Sequence, residues 1–71
     1  MDIKEISVLL ENLYNKPHTE TFVHEVEYPA EECLKEIWED GTILETYFYE
    51  SGITKTFLNG KYLFGTIPKE N

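Results

Sequence analysis

Tyr28-Pro29-Ala30-Glu31-Glu32-Cys33-Leu34-Lys35-Glu36-Ile37-Trp38-Glu39-Asp40-Gly41 is the stretch on which the architecture turns. Its apolar members, Ala30, Cys33, Leu34, Ile37 and Trp38, recur at the spacing of one helical face. Pro29 falls where the first turn of a helix has no use for an N–H, and Glu31 and Glu32 suit the positive end of the helix dipole. Gly41, after Asp40, supplies a left-handed C-cap. The stretch therefore predicts a helix, the second in the chain. On it Glu32, Glu36 and Asp40 stand four residues apart, a row of carboxylates spaced by about 6 Å along the axis. Only Lys35, four residues after Glu31, relieves their mutual repulsion.

Upstream, Thr19 to Tyr28 alternates, with Phe22, His24, Val26 and Tyr28 on one side and Thr21, Val23, Glu25 and Glu27 on the other. That is the pattern of a strand with one wet face, on which Glu25 and Glu27 lie about 6.6 Å apart. Further upstream, Ile3, Ile6, Leu9, Leu10 and Leu13 mark a first helix from Ile3 to about Tyr14. Asp2 and Glu5 open it like a capping box, and Asn15-Lys16-Pro17 closes it.

Downstream lies a meander of three strands punctuated by Ser51-Gly52 and Asn59-Gly60. With two-residue turns at both places, Glu50 opposes Ile53 and Leu58 opposes Lys61. Counting outward by two places Leu44, Phe48, Ile53, Phe57, Tyr62 and Phe64 on one face, and Ile43, Tyr47, Tyr49, Leu58, Leu63 and Ile67 on the other. The expected fold is one α+β domain over residues 1–71, in the order α-β-α-β-β-β, with two short helices packed on a four-stranded antiparallel sheet and residues 68–71 as a loose tail. Two helices cover one face of such a sheet, so a second apolar face bearing Tyr47 and Tyr49 is expected to meet a partner or a second copy of the chain. The alternative places one helix on each side and leaves nothing exposed.

Seventy-one residues allow one core, and one of that size contributes only a few kcal/mol. With a single cysteine no intramolecular disulfide can add to it, and the lone thiol suggests a reducing, cytoplasmic setting. No apolar run reaches the roughly 18 residues of a membrane span, and Met1-Asp2-Ile3-Lys4-Glu5 has no export signature. Fourteen acidic residues against six lysines give a net charge of −8, and arginine is absent. Direct binding to nucleic acid or to anionic membrane is thereby disfavoured, and a protein with a basic surface favoured. Between Glu20 and Glu50 stand ten acidic residues and one lysine, a local net of −9. The field so formed is read as steering the chain onto a positive surface, with partial mimicry of nucleic acid; the plainer reading is a solubilising face.

Catalytic and metal-binding patterns are missing. His18, His24 and Cys33 are six and nine residues apart, and no HExxH or CxxC occurs. His24, on the apolar side of its strand, reads as a core or interface histidine. Cys33 reads as an inert core thiol whose pKa nearby glutamates raise, and Trp38 as a core ring whose indole N–H needs an acceptor. No catalytic residue, metal or cofactor is assigned.

In size, acidity and lack of catalytic motifs the chain resembles, in general character, the small inhibitor proteins that phages and mobile elements direct against host defence or replication enzymes. The resemblance implies a non-enzymatic, anti-defence module that docks on a basic, nucleic-acid-binding surface of a host protein. Its contact residues are expected to be Glu25, Glu27, Glu32, Glu36, Glu39, Asp40, Tyr47 and Tyr49. The rival expectation is a homodimeric accessory or structural protein.

Overall fold

The computed structural model describes residues 1–68, so that Lys69–Asn71, most of the tail expected to be loose, lie outside the described residues. Its elements are α1 (Ile3–Tyr14), β1 (His18–Val23), β2 (Ala30–Trp38), β3 (Ile43–Tyr49), β4 (Thr54–Leu58) and β5 (Lys61–Thr66). The strands form one five-stranded sheet in chain order, every neighbour antiparallel. Among the described residues there is thus one helix and a mostly β architecture, where two helices and four strands were expected.

The helix expected at Ala30–Asp40 is strand β2. Its composition favours a helix, but β1 and β3 pair with it along both edges, from His18↔Trp38 to Val23↔Cys33 and from Ile37↔Ile43 to Cys33↔Tyr47. Strand pairing satisfies the backbone of three segments at once, and this tertiary gain outweighs the small per-residue preference of Glu, Leu and Lys for helix. The apolar spacing was itself ambiguous. Cys33 and Ile37 are four apart, as are Leu34 and Trp38; in a strand each couple shares a face, and the two couples point to opposite faces.

α1 keeps its expected limits. The Asp2 carboxylate accepts from the Glu5 N–H at 2.8 Å, and Asn15 caps the other end. Its C-terminal half packs on the sheet: Leu13 joins Trp38 and Leu44 in the buried core, with Leu9, Leu10, Leu58 and Leu63 against them. The first turn projects past this core, leaving Ile3 81% exposed. Trp38 is anchored by its indole N–H, which donates to the Leu13 carbonyl at 2.7 Å.

The hairpin turns set which side chains share a face. Trp38 pairs with Thr42 around Glu39-Asp40-Gly41, and Tyr49 pairs with Ile53 around Glu50-Ser51-Gly52. Both are three-residue loops ending in a glycine with positive φ, 92° at Gly41 and 88° at Gly52. Gly41 therefore closes a hairpin and does not cap a helix. At the second loop, three residues in place of two slip β4 by one position against β3, so that Leu58 opposes Leu44 and Phe57 opposes Glu45. Leu58 and Leu63 consequently face α1, while Phe57 and Tyr62 move to the face of Ile43, Tyr47 and Tyr49, the reverse of the expected assignment. Asn59-Gly60 is the two-residue turn foreseen, with Leu58 opposite Lys61. A bulge between Thr56 and Phe57 then returns Phe64 to the face of Thr56.

Among the described residues the sheet face that carries Cys33, Tyr47, Phe57 and Tyr62 has no covering helix. Antiparallel sheets tolerate this when the open face is polar; here Lys35, Glu45 and Lys55 share it with a strip of aromatic rings. The accessible surface, 5593 Å², is about 1000 Å² above the roughly 4600 Å² expected for a compact chain of this mass. Among the described residues no helix is long and apolar enough to cross a membrane.

Candidate functional site

β1 ends at Val23, five residues before the expected end of the strand, and His24–Pro29 form a loop that folds toward the uncovered face. Between this loop and the sheet lies an open cleft of about 630 Å³, with Cys33, Tyr47, Tyr49 and Phe57 along the sheet and Val26 and Tyr28 along the loop. Tyr47 and Phe57 meet edge to face at 5.6 Å, as do Phe57 and Tyr62 at 5.7 Å, so the three rings form a continuous aromatic strip. Tyr28 at the cleft mouth is 90% exposed. A lysine already occupies part of this aromatic surface, since Lys55 Nζ stands 5.3 Å from the centre of the Tyr49 ring.

Cys33 forms the buried floor of the cleft. Burial raises the pKa of its thiol, and the Glu45 carboxylate adds to the effect, so the group is a poor nucleophile. Tyr47 is likewise pushed up, first by burial and then by Glu45, whose carboxylate accepts from the phenol at 3.3 Å. Lys35 lies 3.9 Å from the same carboxylate.

The carboxylates are distributed differently from the expected rows. Because Ala30–Trp38 is extended, Glu32 and Glu36 are roughly 13 Å apart, not 6. Glu25, Glu27, Glu31, Glu32 and Glu50 gather at the end of the sheet formed by the β1–β2 loop and the β3–β4 turn. Glu39 and Asp40 lie in the β2–β3 turn, at the opposite end of a nine-residue strand. Asp40 accepts from the Thr42 N–H at 2.9 Å, which lowers its pKa. Of the eight expected contact residues, the fold thus brings Glu25, Glu27, Glu32, Tyr47 and Tyr49 to one end and sends Glu39 and Asp40 to the other.

Glu36 faces neither. It is 3% exposed, beneath the end of α1, where Tyr14 donates its hydroxyl to Oε1 at 2.7 Å and His18 Nε2 lies 3.1 Å from Oε2. His18 also approaches Glu20 Oε1 at 3.2 Å and stacks on Trp38, ring centres 4.6 Å apart. Burial works against protonation of His18, but the Lys16 carbonyl and the charges of Glu20 and Glu36 prevail and raise its pKa. Tyr14 is pushed far up, chiefly by burial and then by its bond to Glu36. Sequence spacing hid this group because cross-strand register creates it, through Glu20↔Glu36 and His18↔Trp38. The other histidine, His24, has its side chain 75% exposed in the loop and 3.3 Å from Glu32, which rules out the core position expected as one of two for it and removes it from the apolar side of a strand.

The chain matches no protein-family model, no curated protein and no solved structure.

Proposed function

We propose that this protein is a non-enzymatic binding module that docks the acidic, aromatic end of its sheet on a basic surface of another protein. The observation that carries the reading is the placement of Glu25 and Glu27 along the tyrosine-lined cleft, with Glu50 beside Tyr28 and Tyr49 at the same end of the sheet. Carboxylates at the rim steer a positive partner and set its orientation, while Tyr28, Tyr47 and Tyr49 supply rigid aromatic area of the kind that dominates interface energies. Lys55 over Tyr49 is an internal example of a cation accepted by this surface. The inhibitor reading, with a nucleic-acid-binding host protein as target, adds to this the general character shared with phage and mobile-element inhibitors. The single cysteine, held as a buried thiol, fits a reducing, cytoplasmic setting.

The test is recovery of a partner by the tagged protein from its native cell at low and high salt. Capture should weaken at least tenfold in the double reversal E25K/E27K and persist in E39K/D40K at the far end. Capture indifferent to both salt and the first reversal would sink the proposal. A homodimeric accessory protein is the second reading, favoured by the uncovered strip of Tyr47, Phe57 and Tyr62. It requires a tight dimer by light scattering that Tyr62→Lys dissociates.

A further inference from the structure

His18 Nε2, Glu20 Oε1 and Glu36 Oε2 converge on one point below the end of α1, all within 4.8 Å of one another. His18 Nδ1 lies 3.4 Å from the Lys16 carbonyl, its available acceptor on that side. A proton held there leaves Nε2 with a lone pair turned toward two carboxylate oxygens, three acceptors that a cation brings together; a proton on Nε2 instead donates to them. Nε2 is 3.1 and 3.2 Å from its two carboxylate neighbours, separations that a shared N–H donor and a common ion both produce. Ligands at about 2.0–2.2 Å from a common ion, at tetrahedral to octahedral angles, are separated by roughly 2.9–3.5 Å.

The surroundings are those of a ligand set. Metal-bound imidazoles commonly direct their other nitrogen at a carbonyl, and metal-bound carboxylates are themselves hydrogen-bonded. Here the Lys16 carbonyl and the Tyr14 hydroxyl take those places, the latter on Glu36 Oε1. Glu36 is buried and fixed, while Glu20, its side chain 59% exposed, is free to close on an ion.

We infer that His18, Glu20 and Glu36 form a binding site for a first-row divalent transition ion, with Zn²⁺ the natural probe, which ties the end of α1 to β1 and β2. One nitrogen and two carboxylate oxygens suit such ions better than Mg²⁺ or Ca²⁺, which prefer all-oxygen shells. The site lies apart from the acidic cleft, and the inference is independent of the docking proposal.

Calorimetric titration of the chelator-treated full chain with ZnCl₂, in excess Mg²⁺ to saturate loose surface carboxylates, decides the matter. The expected result is one Zn²⁺ per chain, bound at least tenfold more weakly by His18→Gln and by Glu20→Gln, with the His18 Nε2 NMR resonance moving on addition of metal. Because Glu20 is exposed, its variant keeps the fold even where a change at His18 disturbs the stacking on Trp38. Absence of stoichiometric uptake, or binding by the two variants equal to that of the wild type, would overturn the inference.

Discussion

Trp38 shows how much a single side chain carries in a chain of this size. Its ring fills the space between α1 and the sheet, stacks on His18, tilts against Tyr14 at 5.7 Å, and donates to the Leu13 carbonyl. That carbonyl also accepts from the Lys16 N–H at 3.0 Å, so removal of the indole does not orphan it. Trp38→Phe should therefore cost one buried hydrogen bond and a small volume, roughly 2 kcal/mol, read from urea denaturation followed by circular dichroism. A loss below about 0.5 kcal/mol would mean that α1 does not depend on this anchor. A buried tryptophan on this segment was legible in the residue pattern; its acceptor was not, since that lies twenty-five positions away on another element.

At the scale of elements, the two three-residue loops decide the faces of the sheet. Trp38-Glu39-Asp40-Gly41-Thr42 and Tyr49-Glu50-Ser51-Gly52-Ile53 are one pattern used twice: aromatic, glutamate, a short side chain that accepts from the backbone two residues on, then glycine. Reading them as a pair would have set the register of β4 and revealed β2. Gly41→Ala places a Cβ in open space and bears only the strain of positive φ, about 1 kcal/mol. Gly52→Ala bears the same strain and also brings its Cβ to 3.3 Å from Pro68, so its melting temperature should fall further than that of Gly41→Ala. Equal losses in thermal melts would show that the contact with Pro68 gives way without cost.

Over the whole molecule, a net charge of −8 is unevenly placed: among the described residues five carboxylates stand at one end of the sheet, with His24, Lys35 and Lys55 nearby. Self-repulsion of this kind is screened over about 10 Å at 0.1 M salt. Raising NaCl from 0.01 to 0.3 M should therefore lift the melting temperature by roughly 3–5 °C, the shift that somewhat under 1 kcal/mol produces in a domain this small. The double variant E25Q/E27Q should start higher and gain less from salt. A wild-type melting temperature that does not respond to salt would mean that the clustered charges are too far apart in solution to repel.

The limits of α1, its caps, the Asn59-Gly60 hairpin, the acidity and the shared face of Tyr47 and Tyr49 follow from local chemistry, and residues adjacent along the chain sufficed to read them. The identity of β2 did not, because a spacing of four is common to helix and strand, and only partners on both edges choose between them. The His18, Glu20 and Glu36 cluster, the division of the carboxylates between two ends and the exchange of Phe57 with Leu58 all descend from that choice and from one extra residue in a turn. Where no short turn links the strands, as between β1 and β2, tertiary pairing sets the register, and register places side chains distant in sequence beside one another.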